Sequence, residues 1–388
     1  MDIESKLLRN IVKPNKKCTL KLVKPEGTSY LYLKPADKAS YIHSRLLQMK
    51  PLFLESLQIS EFKPINYQSI KPFYTFGMIS SSTGSKISSE DIVSAIPTDP
   101  LVFAFNSTDN SNVSVKLDLS ALDSYSLFNG QVVAVKGTNT RGDSILVESI
   151  YSTPGLTEYK SVRGEIAAVI SKGPFSYADL ESIFKLESDP FIFFGPFCGT
   201  NESEFKTLSE FVDSLEIFIR KLQSVKVIIV PSLDDYCSVR VYPQPAIKIS
   251  NERITSLPNP SYILLNNHLI LLSNFDSFID LCYEEISKEP SKSEDVLFSG
   301  DRIQRLSYHL VFQQSFVPVL NSKSNVAFGS WLKMSYSPDL YVISSKIKSF
   351  DRCVGPVTVF NTGGLSKISF KITSCDSSPK YNITKITL

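Results

Sequence analysis

Histidine is scarce in this chain: 388 residues contain three, His43, His268 and His309. A two-metal phosphoesterase site needs several imidazoles beside its carboxylates, holding metals about 3.5–4 Å apart around an activated water. Such a ligand set cannot be assembled from three scattered histidines. Cysteine gives as little. Cys18, Cys198, Cys237, Cys282, Cys353 and Cys375 form no C-x-x-C pair, which removes zinc-finger spacing and a disulfide framework. No run reaches the ~18–20 apolar residues of a membrane span. The opening MDIESKLLRN lacks the apolar core of a secretory signal, which predicts an intracellular protein without membrane contact. There is no G-x-S-x-G elbow and no phosphate-cradling loop, since Gly363-Gly364 is too short for that role.

What is present is the composition of a folded protein, 42% hydrophobic and 21% charged, with a length that suits two domains. The net charge of +2 hides an asymmetry. Residues 1–50 hold 11 Lys and Arg against four Asp and Glu, leaving the remainder acidic. This basic segment suits contact with nucleic acid or an acidic partner, or an import signal. It includes a predicted short helix from Asp37 to Met49.

Residues 68–153 read as a small β domain. YTFGMIS, LVFAF, VSVKLDL, QVVAVKG and SILVESIY are short β-prone runs between polar loops, with one predicted helical turn, Leu122–Phe128. Five such strands suit an OB-type barrel, and Asn129-Gly130 marks a hairpin turn or a strand entry. Phe73, Tyr74, Phe76, Phe103 and Phe105 offer aromatics to a single strand, but Lys71, Lys86, Lys116, Lys136 and Arg141 form no dense stripe, so any DNA contact is expected to be weak.

From about residue 160 the period changes. Phe205, Leu208, Val212, Leu215, Ile219 and Leu222 mark an amphipathic helix, and further helices are predicted at Phe275–Lys288 and Asp301–Gln314, with Asp301 as N-cap. Strands alternate with these helices, as in a layered α/β domain. Three apolar runs, EIAAVISKGP (165–174), PFIFFGPF (190–197) and KVIIVPSLDD (226–235), break at Gly or Pro where an open α/β sheet gathers function. Their ends carry Ser171-Lys172-Gly173, Gly195-Pro196-Phe197 and Pro231-Ser232-Leu233, not metal ligands. Asp234 and Asp235 remain as one carboxylate pair, suited more to capping a turn than to holding a hard cation. Binding, not catalysis, is the expected role. Phe175, Phe197, Tyr236, Tyr242 and Pro243 are the expected interface anchors at this cleft. Asp301 and Arg302 are candidates for an ion pair or a partner contact.

The segment 115–151, with its D-L-S, Y-S-L-F-N-G-Q-V-V and G-T-N elements, resembles the OB domain of the B subunits of DNA polymerase alpha. FFGPF (193–197), VPSLDD (230–235), VYPQP (241–245), SGDRIQR (299–305), FQQSFVPV (312–319) and FNTGGL (360–365) resemble later blocks of that family in the same order. The resemblance implies an OB-fold β-barrel over 51–155 and an inactive calcineurin-like phosphoesterase α/β sandwich over 156–388. The segment 1–50 is expected to pack on the latter. Ser171-Lys172-Gly173 stands where active relatives have D-x-H, Pro196 where they have a bridging Asp, Pro231-Ser232-Leu233 where they have G-N-H, and Ser344-Ser345-Lys346 at a later His motif.

The resemblance further implies a nuclear, cofactor-free, metal-free scaffold. Such a scaffold holds the C-terminal zinc-bearing region of the polymerase alpha catalytic subunit and, indirectly, primase. Thr362 and Gly364 depart from the family's Pro and Arg, so a contact through that Arg does not carry over. Longer members have an extra N-terminal helical domain that the matching blocks here do not include. The B subunits of polymerases delta and epsilon, and a free-standing single-strand binder, stay open as alternatives.

Overall fold

The computed structural model describes residues 19–23, 35–81, 102–106, 108, 113–155, 163–186, 188–222, 225–236, 238–291, 296–364, 368–374 and 381–387. Residues 1–18 and 24–34 of the basic segment 1–50, Lys86 and the side chain of Phe103 lie outside that set. The first described elements are strand β1 (Leu20–Val23) and helix α1 (Pro35–Leu57).

A closed barrel follows, built from β2 (Ser69–Ser81), β3 (Val102–Phe105), β4 (Ser114–Asp118), β6 (Val132–Asn139) and β7 (Ser144–Tyr151), with β5 (Tyr125–Leu127) beside it. Parallel pairing of β4 with β7 and antiparallel pairing of β2 with β6 close the ring. Val133 and Val135 point inward with Val115, Leu117, Ile145 and Val147. Their neighbours Val132 and Ala134 point outward yet are equally buried, packing with Phe76 and Met78. Side chains alternate along a strand, so a run apolar at every position signals burial on both faces. Here one face is the barrel core and the other is the joint with the next domain.

That domain contains β8 (Ile166–Lys172), α2 (Tyr177–Ile183), β9 (Phe191–Phe194), α3 (Leu208–Lys221), β10 (Val227–Val230), β11 (Ile254–Ser256), β12 (Ser261–Leu265), β13 (His268–Ser273), α4 (Ser277–Glu284), β14 (Ile286–Lys288), α5 (Arg302–Phe312), β15 (Leu340–Ile343), β16 (Phe350–Val354), β17 (Val357–Asn361), β18 (Ile368–Ser374) and β19 (Tyr381–Thr387). Two six-stranded sheets, β11-β10-β9-β8-β18-β19 and β1-β12-β13-β15-β17-β16, lie face to face over Ile170, Ile192, Phe194, Ile228, Ile270, Leu272, Val342 and Phe360. Helices α2 and α3 cover the outer face of the first sheet. The outer face of the second meets α4 and α5, and the same apolar cluster runs on into α1 and the barrel. The two-domain plan of OB-fold barrel plus α/β sandwich is therefore correct, but a further apolar cluster spans the joint between the two.

Three local expectations need correction. The helix expected at Asp37–Met49 continues through Pro51 to Leu57 and so crosses the expected boundary at residue 50. An internal proline costs about 3 kcal/mol. Phe53, fully buried in the shared cluster, returns roughly 1.5–3 kcal/mol of that, and Leu57 packs against the same cluster. The helical turn expected at Leu122–Phe128 is instead β5, and the helix expected to reach Lys288 stops at Glu284 and gives way to β14. These two errors have one cause, because β5 and β14 pair antiparallel, Leu127 opposite Ile286. A pairing between segments so distant in sequence leaves no local periodic trace.

Strand β1 pairs antiparallel with β12, Leu20 opposite Leu265, so this part of the basic segment packs on the sandwich. Asp301 caps α5, accepting from the Gln304 N–H at 2.8 Å. No helix among the described residues is long and apolar enough to cross a membrane.

Gly130 enters β6 at φ +98°, and a Cβ there would lie 2.8 Å from the Pro318 carbonyl oxygen and 2.9 Å from the Leu320 nitrogen. Gly130→Ala is expected to cost about 2–3 kcal/mol through strain and separation of the domains, read as a lower urea midpoint. An unchanged midpoint would show that this contact does not hold the joint.

Candidate partner-binding site

Strands β8, β9 and β10 are parallel neighbours in register, Lys172 beside Phe194 and Phe194 beside Val230, so their carboxyl ends form one cleft. Asp235 closes it. Its carboxylate accepts from the N–H of Phe197 at 2.8 Å and of Ser232 at 2.7 Å, tying the loops after β9 and β10 together. Gly195 is required there, because a Cβ would sit 2.2 Å from Asp235 Oδ2. Burial pushes the Asp235 carboxyl up to about 6 despite those two bonds.

Amide side chains fill the remaining space. Asn274 donates to the carbonyls of Gly195 at 3.0 Å and Pro231 at 3.1 Å. Asn259 donates to Gln244 Oε1 and the Asn274 carbonyl, and Gln244 donates to the Ser232 carbonyl. The cation reaching in from β8 is Lys172, its ammonium 3.5 Å from the Gly363 carbonyl. Burial lowers its pKa, Asp276 and Asp234 raise it, and Lys346 lowers it again.

The later loop is held by Asn361 Oδ1, which accepts from the Ser345 N–H, and by Asp276 Oδ2, which accepts from the Lys346 N–H. The two metal ions of a phosphoesterase do not fit these residues. Asp235 is spent on backbone donors, and an ammonium stands where a cation would need anionic ligands. Among the described residues no group of three or more His, Cys, Asp or Glu is placed to hold a metal.

The histidines lie elsewhere. His268, at the start of β13, contacts the Gly164 carbonyl and the Tyr381 hydroxyl, both at 2.8 Å, and burial lowers its pKa. His43 is on the exposed side of α1. His309, on α5, is buried between the domains.

Most of the expected interface anchors are core residues. Phe175 and Phe197 are buried and both stack on one ring, Phe211, with centroids 5.4 and 4.9 Å away. Tyr242 is fully buried 4.3 Å from Phe275, its hydroxyl 3.1 Å from Ser273 Oγ, and the adjoining Pro243 is buried too. Helix α3 and the loop after β13 cover these rings, which an alternation pattern cannot reveal.

Tyr236 is the exception, 78% exposed with the Arg240 guanidinium 5.3 Å over its ring. Asp301 and Arg302 are exposed but do not pair with each other. Asp301 binds Arg352 at 2.7 Å, and Arg302 binds Glu285 at 2.8 Å and the Cys282 carbonyl at 2.7 Å. The structure does not gather these seven residues into one surface.

What it does gather is the pair of blocks YSLFNGQVV and FQQSFVPV, which meet at the domain joint. Gln313 on the sandwich bonds Val132 on the barrel in both directions: Oε1 accepts from its N–H at 2.8 Å, and Nε2 donates to its carbonyl at 3.1 Å. Arg45 of α1, 5% exposed, reaches between them. It donates to the carbonyls of Gly130 and Pro318, each at 3.1 Å, and to Gln313 Oε1 at 2.9 Å.

Deeper in the joint, the Glu285 carboxylate accepts from Arg305 at 2.6 Å and from Ser126 Oγ at 2.8 Å. Ser126 therefore has its single proton committed, so the His309 Nε2 only 2.7 Å away must be the donor in that bond. Burial holds the His309 imidazole down at about 4, in its neutral form. For Glu285, burial alone would raise the pKa, but Arg305, Arg302 and Ser126 together take it below the usual carboxylate range. Sequence reasoning misses this joint, although both blocks are family-like in their residues. Nothing in either one shows that they meet.

The family model for the B subunit of DNA polymerase alpha/epsilon matches residues 132–352, and the model for the OB domain of the DNA polymerase alpha B subunit matches residues 42–153. The chain belongs to the family of DNA polymerase alpha/epsilon B subunits. Similar proteins, named as the B subunit of DNA polymerase alpha, include that of Mus musculus, 23% identical over 84% of this chain and 57% of its own length, and that of Drosophila melanogaster, 25% identical over 76% and 50%. The Saccharomyces cerevisiae protein of the same name is 26% identical over 64% of this chain and 46% of its own. The chain thus spans about half the length of the curated relatives it matches. Among solved structures, Vacuolar Protein Sorting 29 of Cryptosporidium parvum is 8% identical with a TM-score of 0.27, covering 58% of this chain and 98% of that one. So distant a likeness carries no argument.

Two outcomes are expected from this family member's cleft and joint. Adding Mn²⁺ or EDTA should move its melting temperature by less than about 1 °C, whereas a bound ion at a hundred times its Kd would add about 2.7 kcal/mol. The folded-state pKa of His309 lies below its unfolded value, so the unfolded chain takes the proton first and stability falls as pH drops from about 6.5 towards 4. His309→Gln should lose about 2 kcal/mol less than the unaltered protein between pH 7 and 5, measured by urea unfolding. Equal losses would put the acid sensitivity elsewhere.

Proposed function

We propose that this chain is a non-catalytic accessory subunit of DNA polymerase alpha. On this reading it holds the C-terminal zinc-bearing region of the catalytic subunit near the joint of barrel and sandwich, and through it positions primase for primer synthesis in the nucleus. One observation carries the reading: the strand-end cleft is filled by amides, a backbone-bonded Asp235 and the Lys172 ammonium, which leaves docking as the use for the fold. The match of the alpha-type OB domain over residues 42–153 favours polymerase alpha over delta or epsilon. DNA contact through the barrel is secondary, because Phe73 and Phe76 are buried and Lys136 faces Glu148 at 3.8 Å.

Co-expression with the C-terminal region of a polymerase alpha catalytic subunit tests this reading. A stable one-to-one complex on size exclusion is the expected result. Two well-folded proteins that never co-elute, or Mn²⁺-dependent phosphodiester turnover by the purified chain, would sink it.

A further inference from the structure

Among the described residues the buried guanidinium of Arg45 has no counter-ion. Four hydrogen bonds, to the carbonyls of Gly130, Pro318 and Gln313 and to Gln313 Oε1, use its terminal nitrogens, and every acceptor is neutral. Among the described residues Nε has no partner, and neither does the buried Oε1 of Gln314. An ion held in a protein interior costs several kcal/mol unless charge of the other sign compensates it. Both atoms belong to residues that line a single cavity of about 450 Å³ between α1, β12 and the loops around Ser315 and Ser330. That volume lies in the range of ordinary ligand sites, roughly 300–1,000 Å³.

The lining is one-sided in charge. Lys333, exposed at the wall and bridged to Ser315, adds a second cation, and among the described residues no Asp or Glu lines the cavity. Its apolar walls are the rings of Tyr262, Trp331 and Tyr336. The Trp331 indole N–H is already committed to the Ala327 carbonyl and the Tyr262 hydroxyl to the Tyr336 carbonyl, so these two side chains offer the cavity mainly apolar surface. Tyr336 is 49% exposed at the mouth.

We propose that this cavity receives an acidic side chain of a partner polypeptide, with a neighbouring apolar side chain seated on the aromatic walls. The inference rests on reading the chain as a docking subunit and adds the chemistry of what docks. A carboxylate supplies the negative charge that this lining lacks, with Arg45 and Lys333 in it and no Asp or Glu among the described residues. The aromatic rings beside the two cations decide for a peptide, because a side chain next to the carboxylate covers them and a phosphate leaves them bare.

Trp331 is the only tryptophan of the chain and lines the cavity, so its emission reports occupancy. The full chain is titrated with acetyl-Phe-Glu-Leu-amide, with the uncharged acetyl-Phe-Gln-Leu-amide, and with inorganic phosphate. The acidic peptide is expected to shift Trp331 emission and bind about tenfold more tightly than its amide counterpart, a preference that weakens with salt. Lys333→Glu, on the exposed wall, should abolish the preference, and Lys333→Arg should keep it. Equal affinity for the two peptides, no response to either, a response to phosphate alone, or an unchanged preference in Lys333→Glu overturns the proposal. A catalytic-subunit fragment that fails to co-elute while the acidic peptide still binds counts against the function reading only. A fragment that binds Lys333→Glu as well as the unaltered chain counts against the cavity only.

Discussion

The fold depends on one amide meeting one peptide group. Gln313 presents an acceptor and a donor to Val132, completing the backbone bonding of a barrel strand from outside the barrel. A buried peptide group left without such a partner costs about 1–3 kcal/mol, so barrel and sandwich cannot separate without a penalty at this point. Arg45 then fixes α1 over the same spot by bonding carbonyls from both domains. Around these polar contacts runs a continuous apolar cluster from Phe53 and Met49 through Val132 and Phe128 to Leu310 and Tyr341. Polar groups set the register of the joint, and the cluster supplies most of its stability.

A strand-end cleft assembled from backbone carbonyls and N–H groups needs something to satisfy them. In a metalloenzyme the ions and their ligands do this. Here Asp235, Asn259, Asn274 and Gln244 do it, with short hydrogen bonds in place of ion coordination. Each bonds groups from two loops, so the cleft is filled by the protein's own side chains. The same logic explains Gly195, where the carboxylate approaches too closely for any side chain.

Much of this is legible in the residues alone. The five barrel strands, helix α3, the Asp301 cap and the lack of ligands at the strand ends follow from alternation, helical spacing and residue inventory, all of which are local. What escapes such reading is everything whose cause lies far along the chain. Helix α1 crosses Pro51 because Phe53 is buried against the barrel, and Tyr125–Leu127 is a strand because Ile286–Lys288 lies beside it. Phe175, Phe197 and Tyr242 look like surface anchors because they follow strand ends, but the elements packed over them turn that position inward.

By itself the sequence determined the class of each domain and the scarcity of imidazoles for a two-metal centre. Strand periodicity and the presence or absence of imidazoles are properties of the residues, and no arrangement of the chain alters them. Only the tertiary structure decided which polar groups face one another: Gln313 with Val132, His309 with Ser126, and Arg45 with carbonyl and amide oxygens and, among the described residues, no carboxylate. Those pairings depend on distance between segments up to about 270 residues apart, and a buried charge becomes conspicuous only when its surroundings can be seen.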